Sequence, residues 1–495
     1  MLRSKRLACP RESAMLVTCA LGLLLMLALA PPDRARALAL VEAEPADTEK
    51  LFNALFLGLA SLCVGLKVAT RKRASAEAEA RVPLEGKMTR GMRSLRLRFL
   101  SVFWCFKMAD WLQGPYFYDV YMGKVIDGEP ATTDLVAHFF LVGFASAALL
   151  GAWLGRLVDA YGRKAGALAF AALYSVTALS TYSDSLPVLY AGRIAGGIGT
   201  SLLFSAPEAW FIGEHQRGGH ASRWLSDTFG LAYVGDSVVA IIAGQLSGVA
   251  AVRHGPTAPF GLSLVFLVGG ASLALLTWCE NTAVAAPASA SQEGASHGSS
   301  VSIADAWRLM LDDKRILCVG AMQALFEGAM YLFVLEWPPA LVVALRGGKV
   351  PFGKVFSCLM ASCMIGSSVF GPIVRCQSVE EAAAGMLAIS VIAMGMVATW
   401  RTSLPCVLSS FLIFEACVGF YFPAMGTLRS KYLPDSHRGV MMAIFRVPLN
   451  VLVVGVMLTV AQLGLQGSFT CSTVALALAG LAAVRLCTSS RTAAT

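Results

Sequence analysis

The sequence predicts an all-α membrane protein with two sets of six helices and one additional N-terminal span. Three observations predict it. Of the 495 residues, 56% are hydrophobic and only 14% are charged, and the mean hydropathy is +0.65. An ordinary soluble domain carries about 25% charged residues. From residue 99 onward, twelve apolar runs follow one another. Each is near the roughly 20 residues that a helix needs to cross a hydrocarbon core of about 30 Å. A polar stretch rich in Ala, Ser and Gly, residues 281–301, then divides the twelve into six and six, the organisation of two related halves.

Residues 1–50 form a signal-like leader. Arg3, Lys5, Arg6 and Arg11 make a basic start, residues 14–27 an apolar core, and Ala28-Leu29-Ala30 a small-residue end. Removal as a signal and retention as an anchor both fit this pattern. Residues 51–98 supply the additional span, 51–68, and a basic segment running from Arg71 to Arg98. Positive charge of that density belongs on the cytosolic side, so the span enters with its N-terminus outside. The N-terminal half is expected over 99–280, a cytosolic linker over 281–306 and the C-terminal half over 307–495. Ser185-Leu186-Pro187 and Ser403-Leu404-Pro405 open the fourth and tenth segments, a short echo between the halves.

A net charge of +9 would raise nucleic acid as a partner for a soluble chain. Here the basic residues cluster in short loops, where topology and anionic headgroups account for them, so no nucleic acid partner is expected. The thirteen cysteines are scattered, most of them inside apolar runs, and read as small buried hydrophobes. No Walker A sequence and no metal-ligand spacing among the six histidines occur. The chain is therefore expected to be neither an enzyme nor a holder of a metal or cofactor.

Charge in hydrocarbon costs about 2.5–3.5 kcal/mol on insertion scales, so intramembrane polar residues point to function. Asp110 and Gln113 lie near the middle of the first segment, Asp236 of the fifth, Glu327 of the seventh and Glu415 of the tenth. Glu208 is nearer the cytosolic end of the fourth. These carboxylates are candidates for proton coupling or buried charge pairing. Arg193, Arg446, Asn450, Gln113 and Tyr116 are the candidates for substrate binding, with the arginines either holding an anion or pairing with carboxylates to fix packing or close gates. Glu336 and Asp119 fall near outer ends, where water reaches. Pro115, Pro207, Pro423 and Pro448 mark candidate kinks.

Between the second and third segments stands Gly155-Arg156-Leu157-Val158-Asp159-Ala160-Tyr161-Gly162-Arg163-Lys164. So short a basic loop makes a tight cytosolic turn. Gly155 and Gly162 permit bending and close approach, Asp159 can face a helix N-terminus, and Arg163 and Lys164 hold the loop inside. The stretch resembles the Gly-x-x-x-Asp-x-x-Gly-Arg-Lys loop signature of the major facilitator superfamily, with every patterned position filled. Arg193, Gly197 and Gly199 resemble that superfamily's fourth-helix pattern, Arg-x-x-x-Gly-x-Gly, which implies a role for Arg193 in coupling as much as in substrate binding.

Further stretches resemble the molybdate-anion transporter family. They are Ala109-Asp110-Trp111-Leu112-Gln113-Gly114-Pro115-Tyr116, Leu203-Phe204-Ser205-Ala206-Pro207-Glu208-Ala209-Trp210, Gln323-Ala324-Leu325-Phe326-Glu327, Gly419-Phe420-Tyr421-Phe422-Pro423 and Phe445-Arg446-Val447-Pro448-Leu449. The resemblance implies uptake of molybdate or a related oxyanion by alternating access in a lipid bilayer. Buried carboxylates suit an anion carrier if protons enter with the anion. A single-chain, multi-pass protein of the plasma membrane is expected, with an organelle membrane as the alternative address. A carrier of sulfate, sugar or an organic anion, and a non-transporting receptor or scaffold, are the competing readings.

Overall fold

The computed structural model describes residues 45–79, 88–282, 303–346, 348–434 and 437–492. The leader up to residue 44 and most of the expected linker, 283–302, lie outside the described residues. The additional span is α1, Pro45–Glu79. The N-terminal six follow as α2 (Arg90–Gln113) with the short α3 (Phe117–Met122), α4 (Thr133–Tyr161), α5 (Arg163–Ser180), α6 (Leu186–Leu203) continued by α7 (Ala206–Arg217), α8 (Ser222–His254) and α9 (Ala258–Thr277). A two-residue hairpin, β1 (Val125–Ile126) with β2 (Glu129–Pro130), joins α3 to α4. The amphipathic α10 (Ile303–Asp312) begins inside the expected linker. The C-terminal helices are α11 (Lys314–Ala344), α12 (Phe352–Val374), α13 (Val379–Thr399), α14 (Leu404–Tyr432) and α15 (Arg438–Thr492). The last spans two expected segments and breaks at Gly464, whose φ of 59° ends the helical path.

Among the described residues, ten helices are long and apolar enough to cross a membrane. The expected spans that miss this measure have visible reasons. Basic residues and Asp110 interrupt α2, Arg163 and Lys164 open α5, and the fourth span divides at Phe204-Ser205 ahead of Pro207. The first span likewise breaks at Gly114-Pro115. Pro423 and Pro448 end nothing: α14 and α15 run through them.

Two compact units result. One comprises the described residues within 75–293 and 351–357, the other those within 1–74, 294–350 and 358–495. In the first, Phe99 stacks on Phe211 at 4.5 Å and Trp210 on Trp278 at 3.9 Å, which ties α2, α7 and the end of α9 together. In the second, α12 and α14 cross with their backbones in contact. A Cβ added at Gly419 would overlap the Cys363 carbonyl oxygen, and one at Gly366 that of Ala416. In α1, Phe52, Leu59 and Cys63 bury one stripe at spacings of seven and four. The Cys63 thiol donates to the Ala361 carbonyl of α12 at 3.2 Å. The additional span therefore packs on the C-terminal helices, which hydropathy could not reveal.

Candidate functional site

In the last third of α2, Lys107 organises a polar cluster in an apolar surround. It is buried, with its ammonium 3.7 Å from Asp110 and 3.5 Å from Asp236 of α8. Its charge also lies 4.9 Å from the Trp111 ring centroid and 4.7 Å from that of Phe204. Such ring contacts favour a desolvated cation. Both carboxylates have further donors. Trp111 Nε1 donates to Asp236 at 2.7 Å, and the Tyr174 hydroxyl of α5 donates to Asp110 and meets Thr200 of α6. Glu208 accepts from Tyr233 at 2.7 Å and lies within the electrostatic reach of Lys107. One cation thus faces three carboxylates. Unlike charges at this depth stabilise one another only when further hydrogen bonds support them, and here each carboxylate accepts one from Tyr174, Trp111 or Tyr233.

Arg193 stands apart from that cluster. Its Nε donates to the Phe139 carbonyl at 3.1 Å, and the guanidinium lies 4.6 Å over Phe117 and against Gly143. Gln113 donates to Ser263 at 3.0 Å, and Tyr116 packs on Phe352 with its hydroxyl bonded to the Gly353 backbone. These three expected substrate contacts are therefore already engaged in packing. They are not gathered at Lys107.

The loop between α4 and α5 is a clamp. Gly162 has φ 126°, a left-handed value that favours glycine, and a Cβ there would strike the Glu280 carboxylate. Gly155 is different: it is helical and open around its Cα, so neither bend nor close approach requires it. Asp159 does not face the helix N-terminus. It accepts from Arg163 Nε and Nη2 at 3.1 and 3.0 Å. The N-terminus of α5 is capped instead by Glu280, which accepts from the Lys164 and Ala165 amides at 2.9 Å each. A carboxylate is favoured there by the orphan N–H groups and the helix dipole. Lys164 Nζ donates to the carbonyls of Leu275 and Trp278, and Asn281 Nδ2 to Trp210 and Glu214. One loop is thereby tied to the ends of two other helices.

In the C-terminal helices, Glu327 of α11 accepts from the Tyr421 hydroxyl at 2.9 Å, beneath a Phe326–Tyr421 stack of 4.2 Å. Arg429, about two turns beyond Tyr421 on α14, donates to Gln323 at 3.4 Å. Arg429 and Arg446 both act electrostatically on Glu327. Arg446 is exposed, and Asn450 follows it by one turn on α15. Two cations here face one carboxylate, the reverse of the balance around Lys107. Glu415 is buried without a polar partner among the described residues. Glu336 is buried too, not wetted, and its Oε1 has no hydrogen bond among the described residues.

The sequence reading missed Lys107, Arg429 and Glu280. Lys107 had a signal, since Lys107 and Asp110 stand three apart on one helix face. Arg429 lies near a helix end, where basic residues are common, and Glu280 borders the expected linker, so neither stands out in sequence.

A family model described as sugar transporters with twelve transmembrane spans matches residues 51–420. A Takifugu rubripes protein named molybdate-anion transporter is 31% identical over 421 residues, covering 80% of this chain and 84% of that protein. A Xenopus tropicalis protein of the same name is 30% identical over 417 residues, covering 80% and 86%. Among solved structures, the nucleoside transporter NupG aligns with a TM-score of 0.61 at 11% identity, over 80% of this chain and 99% of that one. Fold and matched family thus define a multi-pass membrane transporter of the major facilitator type, not an enzyme. Within that class, the chain belongs to the molybdate-anion transporter family.

Proposed function

We propose that this chain carries molybdate across its membrane by alternating access, with protons accompanying the anion. The observation that carries the reading is the opposite charge balance of the two polar clusters. Arg429 and Arg446 outnumber Glu327, so the C-terminal helices keep cationic capacity for a doubly charged oxyanion. Two guanidinium forks can donate to several oxyanion oxygens at once, and Asn450 adds a neutral donor. Around Lys107 the balance is acidic, so Asp236 and Glu208 are the groups that would take protons. Protonating a carboxylate there releases Lys107 from one partner and changes how firmly α2 and α8 are held. That is a local event able to bias a two-state element. The α4–α5 clamp is the gate element in this reading, because it ties one loop to two helix ends.

The relatives' names support molybdate as the substrate. The test is uptake of labelled molybdate into cells lacking a carrier of their own, with sulfate and a hexose as competitors. Uptake above an empty vector, resistant to both competitors and rising as external pH falls, is expected. Arg446→Lys and Arg429→Lys should each weaken uptake at matched surface expression, since a point charge cannot reproduce the fork. No uptake over the vector defeats the substrate. Uptake indifferent to pH defeats the coupling alone.

A further inference from the structure

We infer that the cytosolic end of α2 is a binding site for one anionic phospholipid. A groove of about 440 Å³ lies against α2 and α8, lined at its wet end by Arg93 and Arg96 and further in by Leu97, Leu100, Trp104 and Leu231. The α2 residues sit at spacings of three and four, so they form one stripe on that helix. From Arg93 to Trp104 is eleven residues, about 16 Å of rise. That is close to half of a hydrocarbon core of about 30 Å. The stripe therefore runs from the headgroup level to the depth where an acyl chain ends.

The two ends of the groove have different chemistry. Arg93 is exposed and Arg96 half-exposed, and among the described residues no carboxylate lines the groove. At the inner end Leu97 and Leu231 are exposed, at 61% and 37%, while Leu100 is buried. Trp104 forms the floor. Its Nε1 donates to the Ala232 carbonyl at 3.1 Å, and its ring lies on Gly235, where a Cβ would overlap it. A glycine opposite a tryptophan is what lets the ring lie flat and the groove stay open. Paired guanidinium groups suit a phosphate, through charge-assisted bonds of fork geometry. A free phosphate would satisfy the arginines but would leave the apolar stripe uncovered. A phospholipid covers both. The site is separate from the Lys107 cluster deeper in α2.

The experiment uses the purified full-length protein and measures lipid retention by native mass spectrometry. The probes are palmitoyl-oleoyl phosphatidylserine, palmitoyl-oleoyl phosphatidylcholine, dibutyryl phosphatidylserine and inorganic phosphate. The serine lipid should bind one copy tightly, the choline lipid and the short-chain analogue much more weakly, and inorganic phosphate should not displace it. Arg93→Gln with Arg96→Gln should weaken the serine lipid about thirtyfold, from the energy of two basic residues near an anionic surface. Arg308→Gln with Lys314→Gln removes the same charge elsewhere and should leave that copy in place. Equal retention of the two long-chain lipids, displacement by inorganic phosphate, an unchanged Arg93/Arg96 double variant, or an equal loss in the control pair would each overturn the site.

Discussion

Replacing Lys107 by methionine isolates its charge, because methionine keeps the length of the chain that packs against Trp111 and Phe204. The ammonium lies 3.7 and 3.5 Å from two carboxylates, and the residue is only 3% exposed. At an effective dielectric of about 20, a pair at such distances is worth about 4 kcal/mol before desolvation is subtracted. Desolvation removes much of that while both partners are present. Once the cation is gone, the stranded carboxylates cost about 3–5 kcal/mol. The unfolding midpoint should therefore fall by roughly 10 °C, at a few degrees per kcal/mol for a large domain. Adding Asp110→Asn should recover part of the loss, since the amide oxygen still accepts from Tyr174 while the charge is removed. Adding Asp236→Asn should recover more. The assay is thermal unfolding of the detergent-purified proteins, followed by tryptophan fluorescence, together with surface expression. A Lys107→Met protein that melts with the parent, or Asp→Asn changes that lower its midpoint further, would refute the charge-pair account.

Three other outcomes follow from particular contacts. Gly419→Ala places a Cβ on the Cys363 carbonyl at the α12–α14 crossing and should cost about 1–3 kcal/mol, whereas Gly426→Ala, with open space at its Cα on the same helix, should melt like the parent. Glu280→Ala removes the acceptor for the first amides of α5, a cap worth about 0.5–2 kcal/mol. It should lower maximal uptake more than apparent affinity, as should Asp159→Asn, read from initial rates at matched expression. Asp313 caps α11, and its hydrogen bond from Arg315 holds the carboxyl below the usual carboxylate range. A carboxylate depressed in the folded state adds stability above its unfolded value and loses it as pH falls through the folded one. Asp313→Ala should therefore lower the midpoint at neutral pH by the equivalent of about 1 kcal/mol. The difference from the parent should shrink as pH falls below about 4.

Sequence by itself determined the class of this protein. Twelve apolar runs of membrane length, one additional run before them and a loop filled at every patterned position carry that much, because hydrocarbon admits only helices and closed barrels, and continuous apolar runs of this length suit helices. It also marked the intramembrane carboxylates, since a charge in an apolar run is conspicuous without any fold. Partnership was decided only in three dimensions. Asp110 and Asp236 stand 126 residues apart in the chain, and only the packing of α2 on α8 lets one ammonium serve both. Glu280 reads as the first polar residue after a span, until the fold sets it on the N-terminus of α5, the position expected for Asp159. The loop glycines divide in the same way: Gly162 has a left-handed backbone and a neighbour where a Cβ would go, and Gly155 has neither. Hydropathy reports how deep a residue lies. Which neighbour satisfies it at that depth depends on helix rotation and crossing, which local sequence does not encode.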